Sequence, residues 1–231
     1  MPGTLALVGA GEYLESMQPV DQHLLATIAQ PEKRVVVLPT AAAQESDYDK
    51  WSRMGVTHFR GLGVAVAPVP VLTRADAARD DLAAQIAWAN FVYLSGGSPG
   101  YLVSTLEGTR VWEAMRAVWE AGGVIAGCSA GAMALASAVR TRRDPPLDFR
   151  PGLGLVPRVT VIPHFDRIPP QRLASYLEHL PRDLILLGID EHTAAVGGPL
   201  EWTVMGRGRV LVCHDGREDW YGAGGSFALS E

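Results

Sequence analysis

Gly123-Val124-Ile125-Ala126-Gly127-Cys128-Ser129-Ala130-Gly131-Ala132-Met133-Ala134-Leu135-Ala136 carries the reading of this chain. The apolar run at 123–126 has the length and composition of a buried strand, and 132–136 is built from good helix formers. Between them stands Ser129, with a glycine two positions away on each side. A serine at a sharp strand-to-helix turn is a nucleophile elbow: the turn strains the central residue, and the flanking glycines let backbone pass without a Cβ clash. The hydroxyl then stands at the carboxyl end of the strand, with the N–H groups and dipole of the helix N-terminus behind it. A glycine-rich turn whose serine caps the helix is the plainer reading. Cys128 is a rival nucleophile, but the glycines are centred on Ser129.

The surrounding chain alternates strand-like and helix-like segments. Thr4–Val8, Arg34–Leu38, Val64–Val71 and Phe91–Leu94 read as strands. Gln18–Ala29, Ser46–Arg60, Asp76–Trp88 and Val111–Glu120 read as helices, the last with Val111, Trp112, Met115, Val118 and Trp119 inward. Those tryptophans are core residues before they are ligands. Continuous apolar strands alternating with helices predict an α/β fold: a mostly parallel central sheet with helices on both faces. Beyond residue 193 the short strands Ala194–Val196, Trp202–Met205 and Val210–Val212 are separated by Gly197-Gly198-Pro199 and Gly206-Arg207-Gly208. These are hairpin signals and predict an antiparallel C-terminal extension of the same sheet.

Bulk properties narrow the function. The 231 residues suit one α/β domain, 1–231, with 48% hydrophobic and 19% charged residues. A net charge of −5 argues against a nucleic-acid groove. The apolar runs are of strand length, so no membrane span is expected, and the first residues lack the basic segment of a secretory signal. Cys128 and Cys213 show neither metal-ligand spacing nor a disulfide framework, which makes a reduced, cytoplasmic setting the expectation. Gly9-Ala10-Gly11 fails as a dinucleotide fingerprint, because Leu14 stands where the third glycine belongs.

A serine nucleophile needs a base, an acid that orients it, and oxyanion donors. Of the six histidines, His164 is best placed, after the strand-like Val159–Ile162, with His192 as its competitor. Glu191 ends the apolar stretch Leu184–Ile189, while Asp190 should point away by alternation. Asp144, Asp148 and Asp166 are loop rivals for the acid. The oxyanion donors would be the N–H of Ala130 and one from the Gly96-Gly97 loop.

These blocks, together with Gly152-Leu153-Gly154-Leu155-Val156-Pro157, Pro163-His164-Phe165 and Gly188-Ile189-Asp190-Glu191-His192-Thr193-Ala194, resemble the dipeptidase E (aspartyl dipeptidase) and cyanophycinase family. The resemblance covers most of the chain and implies a glutamine amidotransferase-like, flavodoxin-like fold. It implies a Ser129–His164–Glu191 triad, with Gly97 and Ala130 as the oxyanion hole and no metal or organic cofactor. The implied partner is a short peptide with an aspartyl residue, and a homodimer is left open. Arg167 and Arg172 are the candidates to meet the aspartyl carboxylate. Two departures bear on specificity. The segment after His164 has fewer arginines than in cyanophycinases, with Pro163 before the histidine as in the dipeptidase branch. His192 also replaces the family's usual glycine after the glutamate. A noncatalytic binding protein of this fold is the rival reading. A glutamine amidotransferase fits less well, since no histidine is followed two residues later by glutamate.

Overall fold

Five short apolar runs form the parallel part of the first of two sheets: β1 (Thr4–Val8), β2 (Arg34–Leu38), β3 (Ala65–Pro68), β4 (Phe91–Leu94) and β5 (Val124–Cys128). They lie side by side in the order β1-β5-β4-β2-β3. The computed structural model describes residues 2–141 and 148–229. Pro68 and Pro70 keep β3 shorter than the run at 64–71 suggests, because proline withholds an N–H from the ladder.

Helices cover both faces of these strands. On one face α1 (Gln18–Thr27) and α2 (Asp49–Gly61) bury Val20, Leu24, Leu25 and Phe59 against Val35, Val37, Phe91 and Tyr93. On the other face lie α3 (Arg74–Ala77), α4 (Asp80–Trp88), α5 (Pro99–Leu106) and α6 (Arg110–Glu120). The expected helix at 76–88 is thus two. Thr73 and Asp76 form a capping box that starts α3, and extended backbone at Arg79 separates it from α4. Trp112 is buried in this layer, as its helical spacing requires.

Past Ser129 the chain leaves the first sheet. The six-residue helix α7 (Ala130–Leu135) leads into β6 (Ala136–Arg140), which starts a second sheet with β7 (Phe149–Pro151), β8 (Val156–Ile162) and β9 (Ile185–Ile189). Between β8 and β9, α8 (Pro170–Glu178) covers the outer side of this sheet, with Tyr176 packed near Ile162, Phe165 and Leu186. The chain then returns through Glu191. The strands β10 (Thr193–Gly197) and β11 (Glu201–Gly206) form a hairpin that joins β1 antiparallel.

The next two strands correct the expectation of a single extended sheet. β12 (Arg209–His214) pairs with β9, and β13 (Arg217–Gly222) pairs with β12, both in the second sheet; only β14 (Ser226–Ala228) goes back to β11. Gly206-Arg207-Gly208 is therefore a crossing between sheets and not a hairpin turn. The crossing is held by Arg207 N–H to the His192 carbonyl (2.9 Å), Gly208 N–H to Thr193 Oγ1 (2.9 Å) and Arg209 N–H to Asp190 Oδ2 (2.8 Å). Gly206 (φ +106°) is required there, since a Cβ would run into the His192 backbone. The inner face of the second sheet packs Val156, Val159, Val161, Leu187 and Ile189 into the core that β4, β5 and α7 share.

Candidate active site

Two of the crossings from one sheet to the other carry a residue singled out in the sequence. Ser129 leads from β5 to β6 through α7, and Glu191 leads from β9 to β10. Register brings the surrounding loops to one level. Val8 is opposite Cys128 and Leu94 opposite Gly127, so the loops after β1, β4 and β5 emerge together.

The elbow is strained as its sequence demands. Ser129 has φ 49° and ψ −105°, outside the regions that most side chains adopt. Its N–H donates to the Val8 carbonyl at 2.9 Å, which anchors the turn to β1. A Cβ at Gly127 would collide with the Gly131 backbone, and one at Gly131 with the Leu94 carbonyl. The glycines at minus two and plus two are therefore steric requirements of the turn.

Ser129, His164 and Glu191 are hydrogen-bonded in series. Ser129 Oγ lies 3.1 Å from His164 Nε2, and His164 Nδ1 lies 2.9 Å from Glu191 Oε1. A carboxylate only accepts hydrogen bonds, so it places the imidazole proton on Nδ1 and leaves Nε2 to accept from the serine. His164 adopts a left-handed conformation (φ 51°, ψ 40°) directly after β8, which turns its ring off the strand. Asp190 points away as alternation predicts. Its Oδ2 accepts from Arg209 N–H, and burial pushes its carboxyl up. His192, the competing base, is engaged elsewhere, with Nδ1 2.8 Å from Ser16 Oγ. Its φ of 54° belongs to a position that glycine fills most easily. Of the loop rivals, Asp166 accepts from Glu191 N–H at 2.8 Å, and Asp148 bonds Thr141. Asp144 lies outside the described residues.

Arg167, the candidate for a substrate's aspartyl carboxylate, is engaged with a carboxylate of the chain itself, that of Glu191. Its Nε and Nη2 donate to Oε2 at 3.2 and 3.1 Å, on the oxygen that His164 does not use. The hydrogen bond from His164 does most to hold the Glu191 carboxyl below its ordinary range; Arg167 adds to this, and burial opposes it. Replacing Arg167 with Gln is expected to raise that carboxyl. Glu191 then protonates at a higher pH, so the acid limb of a pH–rate profile moves upward. The loss at neutral pH is expected to stay below about tenfold, because Arg167 is 71% exposed and its field is screened. An unmoved acid limb would count against this role. Arg172 is exposed in the first turn of α8.

The glycine loop lies against the elbow, and a Cβ added at Gly96 would be 3.6 Å from Ser129 Cβ. Gly97 (φ +138°) presses on the Ala41 backbone, where no side chain fits. The Gly96 N–H is taken by Glu12 Oε1 at 3.0 Å, and Ser95 and Ser98 N–H are held by Leu38 and Ala41 carbonyls, so that among the described residues Gly97 N–H is the donor this loop leaves unengaged. Cys128 is fully buried, and its Sγ–H donates to Glu12 Oε2 at 2.8 Å. Burial first, then the Glu12 charge, push its thiol well up, so it is a poor thiolate nucleophile. Glu12 escaped the sequence reading. It follows Gly9-Ala10-Gly11 after β1, and only the adjacency of β1 and β5 reveals where it points. Among the described residues no group of three or more His, Cys, Asp or Glu is placed to hold a metal ion, and no helix is long and apolar enough to cross a membrane.

The series Ser129–His164–Glu191 has the arrangement of a hydroxyl nucleophile, a base and an acid that orients it. The model of peptidase family S51 matches residues 5–197, and the chain belongs to that family. A crystal structure of a peptidase from an acI-B1 Actinobacterium is 36% identical, with a TM-score of 0.88, covering 99% of this chain and 98% of that one. Cyanophycinase from Synechococcus elongatus is 31% identical over 189 residues, which is 76% of this chain and 57% of the relative. The chain thus spans little more than half the length of that curated relative. A putative peptidase E protein from Listeria monocytogenes EGD-e, 17% identical with a TM-score of 0.61, shares the fold.

Proposed function

We propose that this chain hydrolyses short peptides by acyl transfer through Ser129, with His164 as general base and acid and Glu191 as the group that orients it. The observation that carries the reading is the unbroken series Ser129 Oγ–His164 Nε2–Glu191 Oε1, at 3.1 and 2.9 Å. His164 takes the hydroxyl proton as Ser129 attacks the peptide carbonyl, and the oxyanion is met by the N–H groups of Gly97 and Ala130. The tetrahedral intermediate collapses, His164 gives its proton to the leaving amine, and an acyl-serine remains. Water, deprotonated by His164, releases the acid and restores the hydroxyl. Glu191 stays ionised throughout and stabilises the imidazolium.

The favoured substrates are aspartyl dipeptides of the form Asp-Xaa, in keeping with Pro163 before His164 and the sparse arginines after it. A second reading, cleavage of β-Asp-Arg bonds, is favoured by the likeness to cyanophycinases. A panel of α-Asp-Xaa, β-Asp-Arg and neutral dipeptides separates the two, with Ser129→Ala as control. The expected result is turnover of α-Asp-Xaa and none of the neutral dipeptides. Cleavage confined to β-Asp-Arg would transfer the assignment to the second reading.

A further inference from the structure

The end of β1 and the loop after it meet the elbow, the glycine loop and the segment after Glu191, yet the mechanism above uses none of their side chains. Val8 holds Ser129 N–H, and the Ala10 carbonyl accepts from His192 N–H at 3.0 Å, one residue past Glu191. Two residues past Ala10 stands Glu12, a carboxylic acid that is only 6% exposed. Its two oxygens reach two different loops. Oε1 accepts from Gly96 N–H, in the loop after β4, at 3.0 Å, and Oε2 accepts from Cys128 Sγ–H, at the end of β5, at 2.8 Å. Gly96 adjoins Gly97, and Cys128 lies two residues before Ala130. One buried side chain thus clamps together the two segments that supply the oxyanion donors.

We infer that Glu12 is a positioning residue for the oxyanion hole, holding the Gly96–Gly97 peptides against the Cys128–Ala130 turn. This rests on the serine peptidase reading of Ser129. The physical argument is geometric. A glycine loop has little intrinsic preference for one peptide orientation, and oxyanion donors act only when they are already aimed at the developing charge. By taking the Gly96 N–H, Glu12 fixes the plane of the Ser95–Gly96 peptide and so the start of the short glycine segment that presents the next N–H, that of Gly97. The room for this is made by the missing side chain at Gly96, since a Cβ there would stand 3.1 Å from Glu12 Oε1. The same carboxyl also engages the thiol beside the nucleophile, which keeps Cys128 a donor within the clamp and not a second nucleophile.

The test is the reaction of the full chain with a fluorophosphonate probe, resolved into the maximal inactivation rate and the probe's half-saturation concentration. Glu12→Gln keeps the shape but turns one acceptor into a donor. It is expected to slow the maximal rate by about 10- to 100-fold with half-saturation within about threefold, because the lost donor alignment matters in the transition state. A maximal rate equal to that of the parent, or a loss confined to half-saturation, would overturn the inference. Should Glu12→Gln fail to fold, Cys128→Ala and Cys128→Ser decide. The serine keeps a hydroxyl donor for Glu12 and is expected to react severalfold faster than the alanine, whereas equal rates would overturn the clamp. Ser129→Ala is the separate control: labelling that persists in it would refute the peptidase reading itself and not the role of Glu12.

Discussion

Ser129→Ala is expected to lower peptide turnover by on the order of 10⁵-fold while leaving the fold intact. The hydroxyl makes one side-chain hydrogen bond, to His164, and the turn itself is held by backbone, through Ser129 N–H on Val8. Alanine carries the same Cβ at the same strained φ, so thermal or urea unfolding should show stability within about 0.5 kcal/mol of the parent. Without the hydroxyl no acyl-enzyme forms, and His164 and Glu191 lose the group on which they act. Adding His164→Ala to Ser129→Ala is accordingly expected to cause no further loss, because residues that act as one unit are not additive. Steady-state turnover of the α-Asp-Xaa substrates, with purified single and double variants, checks both statements. A single variant within tenfold of the parent would exclude Ser129 as nucleophile.

The second large effect is expected for Glu191→Gln, a loss of about 10³-fold. The reason lies in Arg167. Its Nε and Nη2 both donate to one oxygen of Glu191, and in the variant those donors still need an acceptor. The amide carbonyl fills that need and so turns the NH₂ group toward His164 Nδ1. A donor facing Nδ1 makes that nitrogen an acceptor and moves the imidazole proton to Nε2, where it blocks acceptance from Ser129. Removing Arg167 as well frees the amide to rotate its carbonyl toward His164. The double variant Arg167→Ala/Glu191→Gln is therefore expected to be more active than Glu191→Gln alone. Turnover of the two variants side by side is the measurement, and equal or lower activity in the double variant would dismiss the orienting argument. In the parent, the same contacts keep Glu191 ionised. Because its carboxyl is held low in the folded chain, its contribution is complete above the ordinary carboxylate range and is lost as pH falls through the depressed value.

What could be read in advance was what local chemistry imposes. The elbow was legible because a strand, a strained serine and a helix in so few residues need glycine where backbone meets backbone, as at Gly127 and Gly131. Glu191 was separable from Asp190 because side chains alternate, and the structure turns Asp190 to Arg209 and Glu191 to His164. Arg167 was legible only as a cation seeking a carboxylate; which carboxylate depended on how the end of β8 faces the end of β9. Asp166, bonded to Glu191 N–H, was recognised as an acid near the site but not as a support for its backbone.

The sequence by itself determined the strand-turn-helix elbow, the alternation that makes a helix-covered parallel sheet, and the residue types at the ends of β5, β8 and β9. These follow from backbone sterics and side-chain periodicity, which act over a few residues. Only the tertiary structure decided that β12 and β13 join a second sheet, that Ser129 and Glu191 sit at crossings between sheets, and that Glu12 reaches Gly96 and Cys128. Those outcomes depend on strand partners far apart in the chain. An isolated strand carries the same alternating pattern whichever neighbour it pairs with, and only packing selects the neighbour.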